Sequence, residues 1–421
     1  MLALDEIDLA DLDFWARPPE EREGAFQLMR RERPLAWFAE PDLRGSSALA
    51  PPPGPGFRAV TRHADVTTVS RHPEIYRSGQ GAVSILDLPP EMVEYFSGMI
   101  STDNPRHARL RRIVSAAFTP RRVRGIEDHI EQVADDVIDG VAGEGGCDFV
   151  TEVAALLPLR VICQMMGIPE RDHAAVLRCS NVILSSADPE YVPEGTDPVA
   201  AFLAAGQELT ELMESIAAHW VKDPADDLTT ALITSNIDGE ALTRAELASF
   251  FVLLVVAGNE TTRTAISHGL WALTEHPDQR AAWAGDLAGV APTAVEEIVR
   301  WASPVTWMRR TVAEDTVLAG EPLHPGDKVL LYYNSANRDE DVFADPYRFD
   351  VRRSPNPHLG FGAAGPHICL GAHLAREEIT VMFTRLLTRL PDIRATAPPE
   401  RLRADFVNGI THLPCAFTPA P

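Results

Sequence analysis

The chain has 421 residues, 45 % of them hydrophobic, enough to bury a large core, and its 61 acidic against 38 basic residues leave a formal charge of -23. That charge repels nucleic acid and anionic membrane over most of the surface, so small molecules or a locally docked protein are the expected partners. Five cysteines, an odd and sparse set, suit a reducing compartment better than a disulfide framework.

The N-terminal "MLALDEIDLADLDFW" carries acids where an export signal needs basic residues and lacks an unbroken apolar region, so a cytoplasmic protein is expected. "APPPGPGF" (Ala50–Phe57) lies too early to separate two cores and is expected to be a surface loop. With no repeat and no long linker, residues 1–421 are expected to form one domain. "FRAVTR" follows the proline loop with strand character. Next comes "PRHARLRR" (Pro105–Arg112), a cationic run with His107 and Arg111 at i,i+4. It fits either a solvated helical face or an anion site.

The longest predicted helix starts at Thr243, where Thr243 and Glu246 form a capping box, and runs to about Glu275 before Pro277 forbids continuation. From Leu247 to Gly258 it is apolar on nearly every face. A membrane span needs about 20 apolar residues, and this run stops at Asn259 and Glu260, so a core helix without membrane insertion is expected. Its "AGNETT" (Ala257–Thr262) has two readings. Either the helix surfaces there and exposes Glu260, or Gly258 opens room for a ligand while Glu260 and Thr261 manage protons in a dry pocket. Further on, Glu297 and Arg300 share a helical face at i,i+3, a pair that when exposed contributes only about 0.2–0.5 kcal/mol.

Strand character returns in "WMRRTV", "DKVLLYY" and "THLPCAF". Between the last two lies "HLGFGAAGPHICLGAHLAREE" (His358–Glu378), which sets Cys369 at a helix start, where the dipole and unpaired N–H groups stabilise a thiolate. Three readings compete: a packing cysteine, a zinc site from His358, His367, Cys369 and His373, or one axial thiolate on haem iron. Zinc takes four ligands, and only Cys369 and His373 sit comfortably on one face. Cys147, Cys163, Cys179 and Cys415 are expected to be packing residues.

Taken in order, "AGNETT", "EIVR" and "GFGAAGPHICLG" resemble the cytochrome P450 family of haem-thiolate monooxygenases. The resemblance extends over nearly the whole chain through "TDNPRHARLRRIVSAAFTPRRV", "DPYRF" and "NGITHLPCAF". It implies a mainly α, triangular fold with small β-sheets and a long central helix over haem b. By resemblance Cys369 is the axial thiolate in a loop with Phe361, Gly362 and Gly371, and His107, Arg111, Arg310 and His367 hold the haem propionates. Glu297, Arg300 and Arg348 match a buried structural triad. Glu260 and Thr261 match an acid and an alcohol that deliver protons, and Ala257 and Gly258 border the oxygen site.

Substrate-contact regions match Ile85, Leu86, Met99, Leu253, Val256, Val305, Trp307, Val407 and Ile410. One departure stands out: Phe361 lies eight residues before Cys369, one more than in the commoner loop. This longer loop, with "RWASPVTWMRRT", "SANRDEDVFADPYRFD" and "NPHLGFG", resembles an actinobacterial branch that hydroxylates methyl-branched lipids and sterol side chains. The alternative is a tailoring hydroxylase or epoxidase of a polyketide, macrolide or peptide. The family implies dioxygen as co-substrate and electrons from NAD(P)H. No flavin or iron–sulfur motif occurs in the chain, so a ferredoxin reductase and a ferredoxin are implied as separate partners, with Arg109, Arg112 and Arg376 facing the ferredoxin. A monomer is expected.

Overall fold

The computed structural model describes residues 2–117, 120–185, 188–220, 227–234 and 240–419. Its axis is the helix Arg244–Glu275, about 48 Å long at 1.5 Å per residue. The predicted capping box is present: the Thr243 hydroxyl accepts from the Glu246 amide at 3.2 Å, and the Glu246 carboxylate accepts from the Thr243 amide at 3.0 Å. The helix stops at His276 because Pro277 opens the next one. Its apolar surface is covered by the helices Leu156–Met165, His173–Leu184, Pro198–Trp220, Leu287–Ala302 and Ala372–Arg389. By length and composition it would cross a membrane, yet 67 % of its most apolar window is buried inside the protein.

The cationic run falls on the helix Arg106–Ala117, as expected, although residues 118–119 of the matching stretch lie outside those described. A five-stranded sheet takes the order Leu35–Phe38, Phe57–Val60, Lys328–Tyr332, Trp307–Val312, Tyr76–Arg77, with only the second and third strands parallel. Every residue of Lys328–Tyr332 is buried, which explains why its sequence is an apolar run rather than an alternation. "THLPCAF" divides between two sheets. Ile410–His412 pairs with Glu400–Arg401, whereas Pro414–Ala416 pairs with Gly146–Asp148 and Arg394–Ala395.

Glu297 and Arg300 are both fully buried, so this pair is not a surface bridge. Arg300 Nε and Nη2 meet the carboxylate at 2.7 and 2.8 Å, and Arg300 also donates to the carbonyls of Asn337, Pro346 and Arg348. The third member differs from expectation. The guanidinium beside Glu297 belongs to Arg353, whose Nε lies 3.1 and 3.2 Å from the two carboxylate oxygens. Arg348 is exposed and contributes only its carbonyl oxygen, accepting from Arg300 and Arg353. The chain turns after Phe349, and that turn brings the later arginine back over the Leu287–Ala302 helix: the Asp350 amide also donates to Glu297, at 2.9 Å.

Candidate active site

Most of the long helix is buried, but Leu253, Leu254, Ala257, Gly258 and Thr261 are half-buried in its middle. Spacings of three and four put them on one face, which therefore borders an open interior space. The Thr261 hydroxyl donates to the Ala257 carbonyl at 2.8 Å. Gly258 has a second use that was not foreseen: a Cβ there would come within 3.3 Å of Ile162. The direction its side chain would take is thus filled by the Leu156–Met165 helix, and only its backbone borders the space.

The long helix also packs on the Ala372–Arg389 helix that Cys369 precedes. Cys369 is exposed, yet burial pushes its thiol up against the Gly371 amide and the charges of Arg111 and Arg376, which favour the thiolate. A sulfur both accessible and enclosed by protein faces an internal space. The extra residue does not separate Phe361 from Cys369: the Cys369 amide donates to the Phe361 carbonyl at 2.9 Å, and Gly362 turns the loop at a φ of 83°, where glycine is favoured. A Cβ on Gly365 would overlap the Ser70 carbonyl, which pins the loop's far end.

Phe361 is held from outside by the Arg376 guanidinium, 4.3 Å from its ring centroid. Arg376 also pairs with Glu296, as does His358 at 2.8 Å. Burial opposes the Glu296 anion, but those two partners bring its carboxyl down to about 2. The zinc reading fails on placement. His358 is engaged by Glu296, His367 by Ser78 and His373 by Glu127, and no group of three or more metal-capable side chains occurs among the described residues.

His107, Arg111, Arg310 and His367 do come together. The two imidazole centroids lie 4.1 Å apart, Arg111 Nη2 donates to the Ile368 carbonyl at 2.9 Å, and Arg310 is 6 % exposed. Burial, then Arg310, His107 and Arg111 push His367 down to about 2, and burial, then Arg111, lowers His107. The carboxylate whose charge reaches them, Asp103, is engaged by the amides of Ser78 and Gly79 at 2.8 and 2.9 Å. Two guanidiniums and two imidazoles concentrated this way are short of negative charge. The two propionates of a haem would supply it, and the open cysteine and small-residue helix face fit the rest of that group.

Glu260 is 1 % exposed, which rules out the reading that the helix surfaces there. It is ion-paired with Arg263 one turn on, a partner the sequence reading missed. Arg263 in turn donates to Asn181 at 2.8 Å, tying the acid to the His173–Leu184 helix. The signal was present: Glu260 and Arg263 repeat the i,i+3 spacing of Glu297 and Arg300.

Glu378, also missed, is buried between the long helix and its own, where burial pushes its carboxyl up to about 8 against a hydrogen bond from Thr262. The folded state therefore keeps a proton that the unfolded chain loses above its ordinary value near 4.5, and stability falls as pH rises from there to about 8. Glu378→Gln is expected to flatten that loss by on the order of a few kcal/mol, read as urea midpoints at pH 5 and pH 8.

Of the nine expected substrate contacts, Leu253 and Val305 are half-buried; the others are less than one-tenth exposed. Trp307 is packed in a core cluster with Ile85, Phe57, Leu330 and Tyr332, edge-on to Phe406 at 5.0 Å, and Ile410 belongs to the main core. Val305 and Val407 bridge their two segments. Ile85 and Leu86 are placed by charges that no motif announced. Arg309 donates to the carbonyls of Ser84, Ile85 and Leu86 at 3.3, 3.3 and 3.4 Å and to Asp87 at 2.7 Å. Lys328 reaches the Ile85 carbonyl at 3.1 Å, Glu40 at 2.6 Å and Asp87 at 2.9 Å. The arginines expected to face a ferredoxin already have acidic neighbours: Arg109 with Glu246, Arg112 with Glu240 and Arg376 with Glu296.

Residues 290–399 match the family model for Cytochrome P450. The chain is 46 % identical over 416 residues to a methyl-branched lipid omega-hydroxylase of Mycobacterium tuberculosis, covering 98 % of this chain and 95 % of that one. A steroid C26-monooxygenase of Mycolicibacterium smegmatis is 38 % identical over 396 residues, covering 93 % and 90 %. Among solved structures, a Mycobacterium marinum cytochrome P450 in complex with pseudoionone superposes with a TM-score of 0.91 at 45 % identity, covering 99 % of this chain and all of that one. A polyketide synthase cytochrome P450 for bacillaene from Bacillus subtilis gives 0.81 at 30 % identity, covering 95 % and 98 %. With likeness of this degree running nearly end to end, the chain belongs to the cytochrome P450 family and is an oxygen-incorporating oxidoreductase.

Proposed function

We propose that this monooxygenase hydroxylates a methyl-branched lipid or a steroid, with electrons from NAD(P)H passed through a ferredoxin reductase and a ferredoxin. The substrate class rests on the relatives named above, and the pocket chemistry agrees with it. Leu253, Leu254, Ala257 and Val305 offer hydrocarbon, and burying apolar surface contributes about 25 cal/mol per Å² without polar contacts. The observation that carries the reaction type is the accessible yet enclosed Cys369 close to Arg111 of the cation cluster short of negative charge.

The haem, when bound, supplies the iron at which dioxygen is reduced and split. In this reading Cys369 would hold the haem iron through its thiolate, and the Gly371 amide with Arg111 and Arg376 would stabilise the negative charge on that sulfur. His107, Arg111, Arg310 and His367 would hold the propionates. Thr261 presents its hydroxyl on the open face, and Glu260 holds a proton-exchanging carboxyl one residue away, restrained by Arg263. Arg112, about half exposed on the helix that carries His107, is offered to an acidic ferredoxin in competition with Glu240.

Titrating the ferric protein with branched fatty alcohols, sterols, terpenes and macrolides, and following its Soret band, tests the substrate class. Branched lipids or sterols are expected to shift the band at micromolar concentration. A response confined to macrolides would overturn the reading in favour of a tailoring enzyme.

A further inference from the structure

Cys147 and Cys415 stand directly opposite each other on the antiparallel strands Gly146–Asp148 and Pro414–Ala416, their sulfurs 3.5 Å apart. Both are free thiols. Opposed residues of such a pair project to the same side of the sheet with Cα atoms about 4.5–5.5 Å apart, within the span of about 4.4–6.8 Å that a disulfide bridges. Closing the sulfurs to about 2.05 Å then asks for side-chain rotation rather than a shift of the backbone. The other cysteines are placed differently: Cys163 is packed in the main core, the Cys179 thiol donates to Glu208 at 3.4 Å, and Cys369 lies in the loop described above.

We propose that this cross-strand dithiol is an oxidation site, closing to a Cys147–Cys415 disulfide when hydrogen peroxide reaches it. Cys147 is only half-buried, which gives a small oxidant access, while Cys415 is 5 % exposed and shielded from larger reagents. One thiolate attacks a peroxide oxygen. The O–O bond breaks, the departing hydroxide takes up a proton as water, and a sulfenic acid is left. The second sulfur displaces the sulfenic oxygen, which leaves as a second water, and the S–S bond forms. Two thiols and one peroxide become one disulfide and two waters, the two electrons coming from sulfur.

The bond joins segments 268 residues apart in the chain. Pro414–Ala416 is the middle strand of its sheet, and the hairpin leading into it carries Val407, Asn408 and Ile410. That hairpin is also held by the Val305–Val407 bridge, by the burial of Ile410 in the main core and by hydrogen bonds such as His268 Nε2 to the Asn408 carbonyl at 2.8 Å; burial, then Arg401, pushes His268 down to about 3, so the ring is a neutral donor. Oxidation therefore fastens the C-terminal hairpin covalently to the residues that lead into the Leu156–Met165 helix.

The test uses the whole holoprotein, treated with hydrogen peroxide or with diamide, a two-electron thiol oxidant that does not depend on haem chemistry. It is then denatured, alkylated without reductant and digested. Free thiols are expected to fall by two from five, with a linked peptide pair containing Cys147 and Cys415 that is lighter by two hydrogens and separated by dithiothreitol. Cys147→Ser and Cys415→Ser should each abolish the link, and Cys163→Ser should leave it intact. If both residues remain alkylated under conditions that oxidise other cysteines, or if Cys147 links to a different partner, the proposal is overturned. Neither outcome depends on the substrate or on the role of Cys369.

Discussion

Replacing Cys369 with serine is expected to remove the red-shifted Soret band of the reduced, carbon-monoxide-treated protein and to cut turnover by on the order of a thousandfold, the equivalent of about 4 kcal/mol of transition-state stabilisation. Serine keeps the backbone contact to the Phe361 carbonyl and nearly the same volume, so the loop should hold its shape. The electron donation is what disappears, because a serine hydroxyl stays protonated where a thiol ionises on metal binding. Retention of the band in Cys369→Ser would move the axial ligand elsewhere and sink the site assignment.

The second large effect is structural. Glu297→Gln strands two guanidiniums, Arg300 at 0 % and Arg353 at 9 % side-chain exposure, without their shared countercharge. Removing one partner of a buried pair typically costs about 3–5 kcal/mol, a large share of the about 5–15 kcal/mol that holds a domain folded. We expect a sharply lower denaturation midpoint and loss of haem during purification. Two further variants identify the third member of the network. Arg353→Ala should cost about 1.5–3 kcal/mol, the range for hydrogen bonds to a charged group, while Arg348→Ala should fall within about 0.5 kcal/mol of the parent. Equal effects at the two positions would contradict the geometry around Glu297.

Features written in adjacent residues were legible. The long helix begins at its capping box and stops before Pro277, and the sheet strands at Phe57, Trp307 and Lys328 lie where β-branched and apolar runs place them. The family emerged from three short motifs in order. The four cation-capable residues His107, Arg111, Arg310 and His367 converge as that resemblance implied, although the first two are separated from the last two by nearly half of the chain or more.

Other assignments needed distances that no local pattern carries. Choosing Arg353 over Arg348 depends on how the segment after Phe349 folds back over Glu297. That Ile162 lies against Gly258, and that Trp307 packs in a cluster with Ile85, Phe57, Leu330 and Tyr332, are likewise meetings of distant segments. Cys147 and Cys415 read as unrelated packing residues because strand register alone sets them face to face. Capping, periodicity and proline stops are interactions between near neighbours, so the sequence by itself determined the elements and the motif that names the family. Which charges lose their water, and which side chains meet, follows from distant segments packing together, and only the tertiary structure decided that.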